Sequence, residues 1–370
     1  MSKKNFQISY SAASNFKTCP TKYYNSRKYK VKQNPSAFAF GKALEDAITL
    51  LFLGKSLDEA HAKFESDWKA IFDTDVSYMV SDFDNSIIAE EDLPLIESWV
   101  KELELDFMLH WSELFDEIAE KNKREDLRPK DHIFYNRIMW LCCQIRGMYM
   151  IRAFYEKLLP KLKIVSKDGV PLIQKDITIT NNEGDKITGF VDYVVTHEDY
   201  TAPIIIDLKT SGAPYTDHSL ISSEQLRTYV ASLGQEVGTN RAGYIVLLKK
   251  MQVKYRCDQC GAPKEGRSIK CVACGKGKCT LKDFDAGVQF ICKEYQTEEL
   301  EEVLDDYMNI ATAIKNNINY KNPSNCNLYN RPCEFYDMCW KRKQASEISH
   351  LEEKNSLTTL VESDKVKIGE

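Results

Sequence analysis

Three consecutive isoleucines, Ile204–Ile206, run directly into Asp207-Leu208-Lys209. An apolar run of that kind reads as a buried strand, which commits the chain to a covered sheet. The end of the run is constrained more tightly still, because a carboxylate there is costly unless a metal, a cation or hydrogen bonds satisfy it. Asp-x-Lys alone is also what the solvated end of many strands looks like, so its neighbours matter. Phe190–Val195 reads as a second apolar strand carrying Asp192, and the polar stretch His197–Ala202 between them reads as a turn. The two acidic groups can then meet across a hairpin. Two carboxylates and a lysine at adjacent strand ends are what a protein needs to hold Mg²⁺ or Mn²⁺ against a phosphodiester and to position a water, so the first expectation is a metal-dependent nuclease.

Gly189-Phe-Val-Asp192, Asp207-Leu-Lys209 and, on a helix expected to follow, Gln225 with Tyr229 together resemble the motifs of the PD-(D/E)XK nuclease superfamily. The resemblance is to its RecB-type branch, which includes the CRISPR-associated iron–sulfur exonucleases and many phage exonucleases. It implies that Asp192 and Asp207 hold the metals, that Lys209 acts on the attacking water, and that Gln225 and Tyr229 support the site or contact DNA. In the family an upstream helix usually carries Gly and, four residues later, a metal-binding His. Here Gly41-Lys-Ala-Leu-Glu45 puts a glutamate in that place. Carboxylate oxygen suits Mg²⁺ or Mn²⁺, so Glu45 is a candidate third ligand, with a solvated helix residue as the alternative. The implied reaction is cleavage leaving a 5′-phosphate, as an exonuclease on single-stranded or end-frayed DNA.

The chain contains 12 cysteines. Cys257-x2-Cys260 and Cys271-x2-Cys274, each pair followed by glycine, have the spacing with which four thiolates surround one Zn²⁺. The segment is too polar and too rich in lysine and glycine to bury four free thiols. Cys279 is a possible substitute ligand. A second group, Cys326-x6-Cys333-x5-Cys339, supplies three thiolates. The resemblance implies that Cys19, in Thr18-Cys19-Pro20, is the fourth ligand of an iron–sulfur cluster, most simply a 4Fe–4S cube, clasping the two ends of the chain. A second zinc site on the same thiolates is the competing reading. Cys142 and Cys143, within the apolar run Met139–Cys143, read as buried structural residues.

The expected architecture is α/β: a restriction-endonuclease-like mixed central sheet flanked by helices, with an N-terminal helical lobe and an inserted zinc ribbon. One elaborated domain spans 1–343, with the lobe at about 36–162, the nuclease core at about 163–250 and 287–340, and the ribbon at about 251–286. Helical patterns cover Ser36–Leu53, Ser56–Phe72, Leu93–Lys121, Tyr135–Leu162 and Glu298–Ile318. The polar stretch 344–370 reads as a mobile tail. No secretory leader and no apolar run of bilayer length is visible, so no membrane contact and the reducing cytoplasm of a bacterium or phage-infected cell are expected. A formal charge of −5 is not the global footprint of a nucleic-acid binder, which leaves local patches, Arg27–Lys32 and Lys249–Arg256, as candidate DNA contacts. Solvated surface faces are the alternative for both. DNA with free ends, and a helicase, recombinase or other replication or repair protein, are the expected partners. A nuclease-fold DNA-binding or assembly subunit is the alternative function.

Overall fold

The computed structural model describes residues 7–354 apart from 33, 75, 80–81, 106–128, 181–183, 267 and 329–330. A short strand β1 (Gln7–Ser9) opens the chain, followed by α1 (Tyr10–Thr18), α2 (Pro20–Lys28) and β2 (Tyr29–Val31). Ser9 caps α1 by accepting from the Ala12 amide, and Pro20 sits in the first turn of α2, where no intrahelical donor is needed. Next come α3 (Ser36–Phe52) and α4 (Leu57–Lys69), the latter started by a capping box between Ser56 and Glu59. The lobe is completed by α5 (Leu93–Glu102) and the long α6 (Pro129–Lys157). The helix expected over Leu93–Lys121 stops at Glu102, and Glu104 turns the chain at a positive φ of 48°. Its last part lies outside the described residues.

The spacing of Phe40, Leu44, Ile48 and Phe52 on α3 does bury one face, against Phe64 and Trp68 of α4 and Phe134 and Phe154 of α6. Gly147 on α6 is required there: a Cβ would lie 2.0 Å from Cζ of Phe64. Cys142 and Cys143 are both buried in this core, and burial lifts the Cys142 thiol to about 11.

After β3 (Leu162–Ile164) the chain builds β4 (Ile173–Thr180), β5 (Lys186–His197) and β6 (Ile204–Ser211), then α7 (Glu224–Val237), β7 (Arg241–Cys257), β8 (Cys279–Glu294) and α8 (Thr297–Lys315). The sheet runs β1-β5-β6-β7-β8, with β3 and β4 also pairing with β5. It is mixed: β5 is antiparallel to β6, β6 parallel to β7, and β7 antiparallel to β8. Alternation along the strands divides the core into two layers. Ile204, Ile206, Ile245 and Leu247 face the helical lobe, while Ile205, Tyr244 and Val246 face Leu226, Val230 and Leu233 of α7. Both faces are covered, which is why Ile204–Ile206 can be apolar without interruption.

The paired strands β7 and β8 reach further than expected, so the excursion between them is confined to 257–279 rather than 251–286. The tail also departs from expectation. Residues 344–354 fold back, with Ile348 and Leu351 buried against Phe335, and β9 (Leu351–Glu353) pairs with β2. Two apolar side chains in a polar stretch suffice because β2 offers an open edge. Residues 355–370 lie outside the described residues. No described helix is long and apolar enough to cross a membrane.

Candidate active site and cysteine sites

Register brings the two expected carboxylates together. Ile206 pairs with Tyr193, so Asp207 and Asp192 are the next opposed residues on β6 and β5. The backbone ladder gives way there: the Leu208 amide donates to Asp192 Oδ2 at 2.8 Å instead of to a strand carbonyl. Asp207 is 2 % exposed. Its Oδ2 forms an ion pair with Lys209 Nζ at 2.5 Å but receives no hydrogen bond of good geometry, and its Oδ1 accepts a long one, 3.4 Å, from Tyr229 Oη. Gln225 Nε2 donates to the same tyrosine oxygen at 2.7 Å. Gln225 and Tyr229 share a face of α7 one turn apart, and Ser223 starts that helix by accepting from Leu226 N.

Glu45 arrives from the opposite layer. Tyr193, fully buried on β5, donates from Oη to the Glu45 carbonyl at 3.1 Å and lies 3.0 Å from Thr49 Oγ1, so α3 is fixed to the strand next to Asp192. The Glu45 carboxylate meets Gln174 Nε2, which also donates to Asp192 Oδ1 at 3.3 Å. Gly41, one turn before Glu45, has no atom within 4 Å of where a Cβ would stand, so the helix surface beside Glu45 is bare.

Electrostatics follow from this crowding. Burial first, and then the neighbouring Asp207, push the Asp192 carboxyl up to about 7. Burial also raises Asp207 and Glu45. Lys209 would be lowered by burial, but the adjacent Asp207 outweighs that and holds the ammonium above its ordinary value. Three carboxylates from α3, β5 and β6 stand in one neighbourhood, an all-oxygen donor set whose chemistry suits a hard divalent cation, although their oxygens are not drawn as close together as the sulfurs of Cys257, Cys260, Cys271 and Cys274.

A sequence model of the PD-(D/E)XK nuclease superfamily matches residues 7–340. The chain belongs to the PD-(D/E)XK nuclease superfamily. No curated protein matches it. Membership supports a metal-dependent nuclease, and the mixed sheet flanked by helices is the restriction-endonuclease-like arrangement.

This PD-(D/E)XK chain carries its most compact metal-ligand group away from the carboxylates. Cys257, Cys260, Cys271 and Cys274 have all four sulfurs within 4.8 Å of one another. The Cys257–Cys274 and Cys260–Cys271 sulfurs are 3.7 and 3.6 Å apart. A tetrahedral ion with 2.3 Å metal–sulfur bonds sets its sulfurs about 3.8 Å apart, so the thiols fit one ion. The Gly277 and Lys276 amides hold the Cys274 thiol down at about 6, whereas burial raises Cys257, and at Cys260 the pull of the Ala262 amide is outweighed by burial and the neighbouring thiols, which raise it. Cys279 is buried beside this group, outside the quartet.

The other four cysteines are gathered more loosely. Cys19 lies between α1 and α2, with its sulfur 3.8 Å from the Tyr320 carbonyl, while Asn322 and Asn325 both donate to Thr18 O. The Cys333 amide bonds to the Cys326 carbonyl. Burial chiefly raises the Cys339 thiol; Lys321 opposes it, and Cys19 and Cys326 are near enough to add to it. These sulfurs are not drawn into the spacing of a single-ion site.

The candidate patch Lys249–Arg256 is largely neutralised. Lys254 pairs with Asp285, Arg256 with Asp283 at 2.6 Å, and Lys249 lies 3.8 Å from Asp82. Asp283 and Asp285 sit across the hairpin, where only strand pairing brings them, and Asp82 comes from the helical lobe. In the other patch Lys28 lies 3.8 Å from Glu353 and over the Tyr29 ring. Sequence reading missed Gln174 and Tyr10. Tyr10 lies near enough to Asp207, Lys209 and Glu224 to be affected by all three, after burial, and it opens α1 with no distinguishing motif.

Proposed function

We propose that this protein is a Mg²⁺- or Mn²⁺-dependent deoxyribonuclease of the RecB-type branch, acting as an exonuclease on single-stranded or end-frayed DNA. The observation that carries the proposal is the approach of Glu45, through Gln174, to the buried Asp192–Asp207 pair, with Lys209 ion-paired to Asp207. A divalent ion bound there supplies charge neutralisation at the phosphate and a more acidic water. Asp192 and Asp207 hold the ion, with Glu45 as the third ligand. The Lys209 ammonium, kept protonated by Asp207, stabilises negative charge developing on the phosphoryl oxygens and orients the nucleophile. Gln225 fixes the Tyr229 hydroxyl, and that hydroxyl holds Asp207 in its rotamer. The bare helix surface at Gly41 leaves room for a strand of DNA beside Glu45.

Zn²⁺ in the Cys257, Cys260, Cys271 and Cys274 site and an iron–sulfur cluster on Cys19, Cys326, Cys333 and Cys339 complete the proposal as structural cofactors. The tip that carries the first exposes Lys270, Lys276 and Lys278, which suit the phosphate backbone. A cytoplasmic setting with a helicase, recombinase or repair partner matches such chemistry. The deciding experiment incubates the pure protein with end-labelled single- and double-stranded DNA and Mn²⁺ or Mg²⁺. Stepwise loss of nucleotides from single-stranded ends is the expected result. DNA binding without cleavage in either metal overturns it in favour of an assembly subunit.

A further inference from the structure

Gln174 is opposite Asp192 in the register of β4 on β5, between the paired residues Ile173–Tyr193 and Lys175–Val191. Its neighbours keep the ladder, but Gln174 itself adopts a φ of +47°. Side chains with a Cβ enter that region rarely, and they stay there where surrounding contacts over-determine the backbone. Such contacts surround Gln174: its one amide nitrogen donates to Glu45 and to Asp192 Oδ1, while Asp192 Oδ2 is taken by the Leu208 amide. No other described hydrogen bond joins the Glu45 side chain to the strand-borne carboxylates.

We propose that Gln174 is a positioning residue that holds Glu45 to Asp192, so that the carboxylate of α3 joins the pair on β5 and β6 in one divalent-cation site. The proposal rests on the metal-dependent reading above. A neutral amide suits this task. An ammonium or guanidinium in its place would compete with the incoming cation, and a carboxylate would add repulsion to a set that is already crowded. The three carboxylates do not come within the 4.8 Å mutual spacing of the cysteine quartet, and the Gln174 amide is the described hydrogen-bond link between the helix-borne member and the strand pair. Each gripped oxygen keeps a lone pair for the metal, and outer partners of this kind orient ligands.

The test is calorimetric titration of Mn²⁺ into the full chain, with its cysteine sites loaded, for wild type, Gln174→Gly, Gln174→Met and Asp207→Asn. Glycine accepts the positive φ without strain, and methionine keeps the length while losing the donor. Both Gln174 variants are expected to unfold cooperatively and to bind Mn²⁺ about 10–100-fold more weakly, as outer-sphere substitutions do. Their cleavage at saturating Mn²⁺ should approach the wild-type kcat, with the metal concentration for half-maximal rate raised in proportion. Wild-type affinity in Gln174→Gly, whatever Gln174→Met does, overturns the positioning role. If Asp207→Asn binds Mn²⁺ as tightly as wild type, or wild type shows no saturable binding, the metal-site reading fails and the positioning role with it.

Discussion

Lys209 and Asp207 share an ion pair in which the aspartate is buried and the lysine is partly exposed, so the two respond differently to substitution. Lys209→Ala should lower kcat about 10²–10³-fold, the usual loss when one donor to developing charge is removed. Asp207→Ala should abolish measurable cleavage, and both variants should still unfold cooperatively. Single-turnover assays with Mn²⁺ check this, and wild-type rates in either variant would refute the assignment. The raised Asp192 carboxyl gives a second expectation. Its folded value of about 7 lies above the unfolded 3.8, so the metal-free folded state binds the extra proton. That contribution is full below the unfolded value and is lost as pH rises through the folded one. In a chelator the thermal midpoint should therefore fall by several degrees from about pH 4 to about pH 8, and Mn²⁺ should remove most of the fall. Scanning calorimetry with and without Mn²⁺ measures it, and a midpoint that rises with pH in the chelator would contradict the proton on Asp192.

The β7–β8 arm shows how one element can be stable along its shaft and metal-dependent at its tip. Lys209 is in register with Val246 on the parallel β7, so the strand past Leu248 projects from the same sheet end as Asp207 and Lys209. From Val246 to Cys257 it spans roughly 37 Å at about 3.4 Å per residue. The shaft is held without metal, because Phe284 and Ala286 are buried in the lobe core and Arg152 donates to Asp283 and to the Phe284 carbonyl. The tip has a core of little more than its cysteines, with Ala262 packed against them. Chelation or Cys271→Ser should therefore open 257–279 to protease while shifting the global midpoint by no more than a few degrees. Purified protein should carry about one zinc per chain there. Limited proteolysis with fragment mass analysis reads the result; an intact tip after metal removal would show that it folds on packing alone.

Residues 18–31 and 322–353 are docked together by several independent links. Asn322 and Asn325 bond to Thr18, Lys22 pairs with Glu334 at 3.1 Å, and β9 lies on β2. An iron–sulfur cluster on Cys19, Cys326, Cys333 and Cys339 would add a tether across a very long loop. Anaerobically purified protein should then be brown, and Cys19→Ser should bleach it and lower the thermal midpoint by several degrees. The non-covalent links should keep the fold, so cleavage should fall only in part, through α1. That helix reaches α7, the helix of Gln225 and Tyr229, by Lys17, which pairs with Glu224 at 2.8 Å. Iron analysis and visible spectra decide it, and a colourless, zinc-rich, fully active protein would assign these thiols to zinc.

Local period and spacing carried much of this protein's design in the sequence itself. Isoleucines followed by Asp-x-Lys implied a covered strand with a costly carboxylate, a four-residue apolar period framed α3, and two Cys-x-x-Cys pairs implied one ion; each signal involves neighbours along the chain. The choice of partners between distant segments belonged to the tertiary structure. Gln174 is an ordinary strand residue until register sets it against Asp192 and the fold brings Glu45 to its other side. Lys254 and Arg256 read as a basic patch until strand pairing supplies Asp285 and Asp283. The tail reads as solvated until β2 presents an edge to Leu351. Burial and charge pairing depend on what the rest of the chain brings alongside, and for these residues it comes from 18 to 320 positions away.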